Sequence, residues 1–443
     1  MLLIRGCPRS GTTLLVNILN QNDDIGIFNE YALGDLVHDL APIFQVERDH
    51  GDLEVVAVRA AGAVGSDAIP DVYIHPFENP FVTHQLRFPT RERMAALVTG
   101  VVEASLEKDG LRVIGSKRPG PAENGEAARL ERAFARVQYL FVVRNPLDTI
   151  NSIINRRNRA RVGWDTWAID TVDAAIREYR DSMTLLLSLA SAHPDDVFVV
   201  GYEDLVENFA ATAAQIGSFL GVSLTCDPRI TEIELHRKSI LTPDEEQHVR
   251  GHFGALIDNW RTRRISGPAP LVAASLAEHA ETMKDGIEYR YGASSPQRRF
   301  LGLGWDIVED EAVWSNAESS DVIFRAASEG PHVLRLNVSF FLPMIESTVP
   351  LTVEVNGHEV FRAVFYHADR PVIDATTSGL SLYPGRGNTD VWCGPVEFSA
   401  GTPNVVRLRF GSVRSPAELG INGDERTLAV ALHAISLQPA GAA

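Results

Sequence analysis

Residues Gly6 to Thr13 read GCPRSGTT, the spacing G-x-x-x-x-G-T-T. A glycine turn between a strand and a helix start aims several backbone N–H groups at one point, and the helix dipole adds partial positive charge there. Gly6 and Gly11 permit the turn, Thr12 and Thr13 bring hydroxyl donors, and Arg9 places a cation inside the loop. The lysine that reaches the β- and γ-phosphates in a nucleoside-triphosphatase is replaced by Thr12. The loop is therefore a phosphate cradle of another kind, or a tight turn that binds nothing. A second candidate lies in YLFVVRNPLDTINSII, where Arg144 ends an apolar run and Ser152 follows eight residues later. Strand ends of that type are where α/β sheets place ligands, so the pair could clamp a second phosphate; a plain salt-bridge arginine is the simpler alternative.

These residues need elements to hold them. LLIRGC reads as a short strand and TTLLVNILNQ as a helix, with Leu14, Leu15, Ile18 and Leu19 at helical spacing. RERMAALVTGVVEASLEKDG reads as a helix closed by Gly110, LRVIGSK as a strand, GEAARLERAFARV as a helix, and QYLFVVRNP as a buried parallel strand. A helix follows from Pro146, then the long helix VDAAIREYRDSMTLLLSLASAH, the strand DVFVVGYEDL and the helix AATAAQIGSFLGV. The predicted fold class is α/β: a P-loop-like parallel sheet with helices on both faces. Beyond Arg299 the helical periods fade and DVIFRAAS, HVLRLNVSFFL, LTVEVNGHEVFRAVFY, NVVRLRFG and LAVALHAISL read as strands, with Asn356-Gly357 as a hairpin turn. A boundary is expected around Ala293 to Arg298, giving an α/β domain over 1–293 and a separate β-sandwich domain over 299–443.

Taken together, GCPRSGTTLL and VVRNPLDTINSI resemble the sulfotransferases that use 3′-phosphoadenosine 5′-phosphosulfate, and VVGYEDLVENFAATAAQIGSFLGV resembles that family's later strand–helix segment. The resemblance spans roughly residues 1–290. It implies that Arg9, Ser10, Gly11, Thr12 and Thr13 hold the 5′-phosphosulfate, that Arg144 and Ser152 hold the 3′-phosphate, and that Tyr202 contacts the donor. It also accounts for the absent lysine, since this donor carries one anhydride and transfers its sulfuryl group without metal. In the glutamate-using branch, which includes the tyrosylprotein sulfotransferases, an acidic residue follows the first loop at a similar distance; Glu30 is the matching candidate base. A helix-start carboxylate is the plain alternative for Glu30, and His38, His75 and His84 match no catalytic histidine position. Lys117, in SKRPG, lies where the sequence resembles the family's lysine-containing loop, which implies a second catalytic cation beside Arg9 that contacts the sulfuryl group or orders the acceptor; a solvated loop lysine is the plain alternative. VRGHFGALIDNW resembles the closing segment, with Arg250 and Gly251 over the 3′-phosphate and Trp260 packing. The basic run at 155–161 reads as a solvated helix end or a steering patch, and IREYRD as an ordinary exposed helix face.

Composition bounds the rest. The chain has 443 residues, 45% of them hydrophobic and 22% charged, which suits two folded domains rather than disorder. The net charge of −17 argues against nucleic-acid and anionic-membrane partners. Cys7, Cys226 and Cys393 are scattered, so neither a disulfide framework nor a metal site is expected, and a cytoplasmic location is. No apolar run long enough to span a membrane is present. The tail resembles a β-rich module that accompanies bacterial glycosyltransferases. In it Trp305, Trp314 and Trp392 could stack on sugar rings or fill the core, Trp314 reading as core, and Asp424, Glu425 and Arg426 read as a turn. The expected activity is sulfuryl transfer to an acceptor hydroxyl, on a carbohydrate by the tail's company or on protein tyrosine. A kinase or NTPase and a non-catalytic carbohydrate-binding protein are the competing classes.

Overall fold

The computed structural model describes residues 1–29, 33, 36–37, 91–120, 130, 133–160, 169–225, 227, 239–260, 265–269, 280–292, 300–344, 347–367, 381–385, 387–410, 415–416, 419, 421 and 428–441. Glu30, His38, His75, His84, Cys226, Arg161, Asp424, Glu425, Arg426 and the expected linker at 293–299 lie outside the described residues, as does most of GEAARLERAFARV.

The first part is built on a sheet with strand order β2-β3-β1-β4-β5-β6 among the described residues. Its strands are β1 (Leu2–Gly6), β2 (Ile25–Asn29), β3 (Val113–Lys117), β4 (Gln138–Val143), β5 (Val197–Gly201) and β6 (Gly267–Pro268). The first five are parallel, and β6 closes the edge antiparallel to β5. The helices are α1 (Thr12–Leu19), α2 (Arg91–Leu106), α3 (Pro146–Ala160), α4 (Val172–Ala192), α5 (Tyr202–Glu207), α6 (Phe209–Leu220) and α7 (Pro243–Trp260).

Why the sheet is covered on both sides follows from the two-residue period of its strands. Leu2, Ile4, Leu140 and Val142 face one side, where Leu15, Ile18 and Leu19 of α1 and Ile216 and Leu220 of α6 pack on them. Leu3, Tyr139, Phe141 and Val143 face the other, under Val98 and Val102 of α2, Ile150 and Ile153 of α3, Tyr179 of α4 and Phe253 of α7. The fold class read from the sequence is the one observed. DVFVVGYEDL is a correction: the strand stops at Gly201, and Tyr202 opens α5. The cause is Asp204, whose carboxylate accepts the N–H groups of Ile265 and Ser266 at 2.9 and 2.8 Å, while Glu203 and Asp204 favour the first helical turn.

The second part is antiparallel apart from two short parallel pairings. Its strands are β7 (Thr282–Met283), β8 (Glu288–Arg290), β9 (Trp305–Val308), β10 (Val313–Ser315), β11 (Ser319–Ala326), β12 (Gly330–Phe340), β13 (Thr348–Val355), β14 (His358–His367), β15 (Ser381–Gly385), β16 (Thr389–Phe398), β17 (Asn404–Arg409) and β18 (Val430–Pro439). They form one sheet ordered β16-β12-β18-β10-β9, with β8 also on β18, and another ordered β15-β14-β13-β17-β11-β7. Leu334, Leu336, Leu432 and Ile435 from the first meet Val322, Phe324, Leu351, Val353 and Leu408 from the second in one core. Asn356 and Gly357 both have positive φ, 50° and 83°, the geometry of the tight hairpin turn their sequence announces. Strand β16 was not legible beforehand because Gly394 and Pro395 interrupt its pattern. β7 and β8 lie before the expected boundary yet pair with β11 and β18.

The two parts meet along α4. Ser188 donates from Oγ to Oδ2 of Asp321 at 2.7 Å and accepts the N–H of Leu303 at 2.9 Å. Asp321 is buried and takes a two-point grip from Arg407, at 2.7 and 2.9 Å. Arg180, on the same helix, pairs with Glu281 at 2.7 Å.

Candidate functional site

Four neighbouring strands, β3, β1, β4 and β5, deliver the candidate residues from their C-terminal ends. β1 runs into the glycine loop, β3 ends on Lys117, β4 is followed by Arg144, and β5 is followed by Tyr202. Parallel strands in adjacent register therefore bring together residues that are far apart in the chain.

In the loop, Arg9 takes a left-handed backbone, φ 71°, between Gly6 at 147° and Gly11 at 106°. A Cβ on Gly6 would stand 2.4 Å from the carbonyl oxygen of Val142, and one on Gly11 would stand 2.2 Å from the ring of Tyr202. Both positions are thus closed to other residues by packing as well as by conformation. Ser10 closes the turn with its N–H on the Cys7 carbonyl at 3.0 Å. No side chain caps the start of α1, so the first N–H groups of that helix remain available to a ligand. Among the described residues the buried Ser10 hydroxyl has no hydrogen-bond partner. An uncapped helix start over a buried, unsatisfied hydroxyl and beside cations suits a phosphate-type anion.

The cations surround this loop. Lys117, buried, donates from Nζ to the Thr13 hydroxyl at 3.0 Å. Arg9 donates from Nε to Ser152 Oγ at 3.4 Å, and Arg144 donates from Nη1 to the Arg9 carbonyl at 3.4 Å. The guanidinium of Arg144 lies 4.4 Å from the centre of the Tyr202 ring, a cation–π contact. Arg9, Arg144, Ser152 and Tyr202 are therefore one contiguous group, and Lys117 with Thr13 makes a second contact on the same loop. Asn29, the last residue of β2, pairs in register with Lys117 at the same end of the sheet.

Other expected residues fall elsewhere. Arg250 is exposed on α7 and pairs with Asp258 at 3.1 Å, and Gly251 is exposed; among the described residues no hydrogen bond joins either to the loop. Trp260 is buried, as a packing residue would be. IREYRD is not an exposed face: Tyr179 is fully buried, and Arg180 lies across Phe253. The Tyr179 hydroxyl donates to the Arg144 carbonyl at 2.9 Å. Glu203 accepts the Asn145 N–H at 3.1 Å. Burial pushes the Glu203 carboxyl above its ordinary range, against hydrogen bonds from Trp260 and the Asn145 N–H and the charge of Arg144. Neither residue was singled out from sequence. The signal for Tyr179 was its place in the apolar stripe Ala175, Ile176, Tyr179, Met183, Leu186.

Among the three tryptophans, Trp305 is buried and donates its indole N–H to the Asp321 carbonyl at 2.8 Å, so it is core. Trp314 is half-buried and lines a cavity of about 540 Å³ with Glu309, Asp310, Glu311 and His433, contrary to its reading as core. Trp392 is 50% exposed.

The fold and this site define a parallel α/β protein with an anion cradle at the strand ends. A family model described as the sulfotransferase family matches residues 2–226, which carry the whole of that cradle. The chain belongs to the sulfotransferase family. The sulfotransferase domain from the Synechococcus PCC 7002 olefin synthase is similar at 21% identity over 63% of this chain and 93% of its own, with a TM-score of 0.32. The sulfotransferase from Alicyclobacillus acidocaldarius is similar at 17% identity over 59% and 96%, also with a TM-score of 0.32. The CBM35 from Paenibacillus barcinonensis aligns at 13% identity over 29% of this chain and 78% of its own, with a TM-score of 0.17. No curated protein matches the chain.

Proposed function

We propose that the protein transfers a sulfuryl group from 3′-phosphoadenosine 5′-phosphosulfate to an acceptor hydroxyl. The observation that carries this reading is the convergence of two anion-holding segments, with Arg9 touching Ser152 and Arg144 touching the Arg9 carbonyl. The donor supplies an activated sulfuryl group and a nucleotide leaving group. The uncapped N–H groups of α1, with Ser10, Gly11, Thr12 and Thr13, hold the 5′ end. Arg144 and Ser152 hold the 3′ end, and Tyr202 fixes the Arg144 guanidinium from beneath. Arg9 and Lys117 neutralise charge that grows on the departing oxygen and the sulfuryl oxygens. Glu30, one residue beyond β2, takes the acceptor proton as general base. Arg250 and Gly251 are proposed to cover the 3′-phosphate.

For the acceptor we propose a carbohydrate, with protein tyrosine as the competing substrate. Support comes from the β part, where Trp314 and Trp392 stand at the surface and can present ring faces to sugars. We propose two domains, over 1–293 and 299–443, with β7 and β8 lent to the second. A cytoplasmic, bacterial setting is part of the same proposal, and the buried free thiols of Cys7 and Cys393 accord with it. No helix among the described residues is long and apolar enough to cross a membrane.

The test is transfer of radiolabelled sulfate to glycans and to tyrosine peptides. Arg9→Ala and Glu30→Gln should each reduce transfer at least a hundredfold, and Glu30→Gln should still bind adenosine 3′,5′-bisphosphate in a thermal-shift assay. Full activity in Glu30→Gln removes the base assignment. Magnesium-dependent ATP hydrolysis without sulfate transfer would favour the kinase class instead.

A further inference from the structure

Arg144 lies just beyond β4, which ends at Val143. Its peptide is gripped on both sides. The Tyr179 hydroxyl donates to its carbonyl at 2.9 Å, and the N–H of the next residue, Asn145, donates to Glu203 Oε1 at 3.1 Å. Tyr179 comes from α4 and Glu203 from α5, so two helices hold one dipeptide from opposite ends. Asn145 is then committed as well, its Oδ1 accepting the Leu147 N–H at 2.9 Å at the start of α3, the helix that carries Ser152.

Both grips are expensive to build. Tyr179 is fully buried, with its ring edge-on to Phe253 at 5.1 Å, and Glu203 is half-buried with its Oε2 shielded from solvent. A buried phenol and a half-buried carboxylate directed at one backbone segment point to a need for that segment's placement. Glu203 also follows Tyr202 directly, so a single turn of α5 supplies both the ring under the guanidinium and the acceptor for the next peptide.

We propose that Tyr179 and Glu203 are positioning residues for Arg144, and that they set the protein's preference for a nucleotide carrying a 3′-phosphate. This rests on the donor reading above. Neither side chain touches the donor; each acts by fixing where the guanidinium stands relative to Ser152.

The experiment is calorimetric titration of the full chain with two probes, adenosine 3′,5′-bisphosphate and adenosine 5′-monophosphate, which lacks the 3′-phosphate. The wild type should prefer the bisphosphate. Tyr179→Phe and Glu203→Ala should each cut that preference by about tenfold or more, the scale of loss from a displaced charged group, while affinity for the monophosphate holds. Glu203→Gln keeps an acceptor oxygen for the Asn145 N–H and should retain most of the preference. Equal loss of both probes, or an unchanged preference in Tyr179→Phe and Glu203→Ala, overturns the proposal and leaves the donor reading standing. A wild type that binds neither nucleotide, or binds both alike, overturns the donor reading and this inference with it.

Discussion

At the residue scale the loop is defined by what each position excludes. Gly11 has a left-handed backbone and a Tyr202 ring where a Cβ would go. Gly11→Ala should therefore push Tyr202 away from Arg144 and weaken adenosine 3′,5′-bisphosphate binding by tenfold or more in calorimetry; unchanged affinity would mean that the ring yields without disturbing the arginine. The type and spacing of Gly6, Arg9, Gly11, Thr12 and Thr13 were legible in the sequence because a glycine turn between a strand and a helix is local, complete within a few residues. Arg144 and Ser152 were legible for the same reason. Tyr179 and Glu203 were not, because their contacts with the Arg144–Asn145 peptide exist only across the gap between two helices and a strand end. A tyrosine in an apolar stripe looks like any other core residue until its hydroxyl is seen to have one partner.

At the element scale, parallel strands made the α/β part readable, since each buried strand announces itself as an apolar run followed by an amphipathic helix. YEDL escaped that reading because its helix is a single short turn-and-a-half fixed by Asp204 to a distant segment. The long α4 was read correctly in extent, but its polar IREYRD stretch hid a buried tyrosine. The end of α4 adds a pH dependence. His193 follows the helix with its ring against Tyr139 at 5.6 Å. Burial lowers its pKa, Arg407 lowers it further, and Asp196 and Asp321 oppose them. A base whose folded value lies below its unfolded value of about 6.5 takes up protons more readily when unfolded. Its contribution to stability is whole above that unfolded value and is lost as pH falls from there through the lower folded value. The urea midpoint should therefore drop as pH goes from 7 to 5, and His193→Gln should show a shallower drop over that interval.

At the scale of the whole molecule, the α/β and β parts share a polar contact that neither sequence pattern disclosed. Asp321 is buried between Arg407 and Ser188. Asp321→Ala strands the Arg407 guanidinium and should cost about 3–5 kcal/mol of stability, measured by denaturant unfolding. A loss under 1 kcal/mol would mean that water reaches the arginine at no expense. α4 thus has two duties, with Tyr179 facing the anion cradle and Ser188 facing β11 a few turns on. The catalytic half is consequently a poor candidate for excision. A gene truncated ahead of the β part would leave Ser188 without Asp321 and Leu303 on the helix whose Tyr179 bonds the Arg144 carbonyl. Exchanging the β part for another module would meet the same obstacle unless the replacement brought its own acid for Ser188. Any rearrangement of the β part would have to preserve the Ser188–Asp321–Arg407 join.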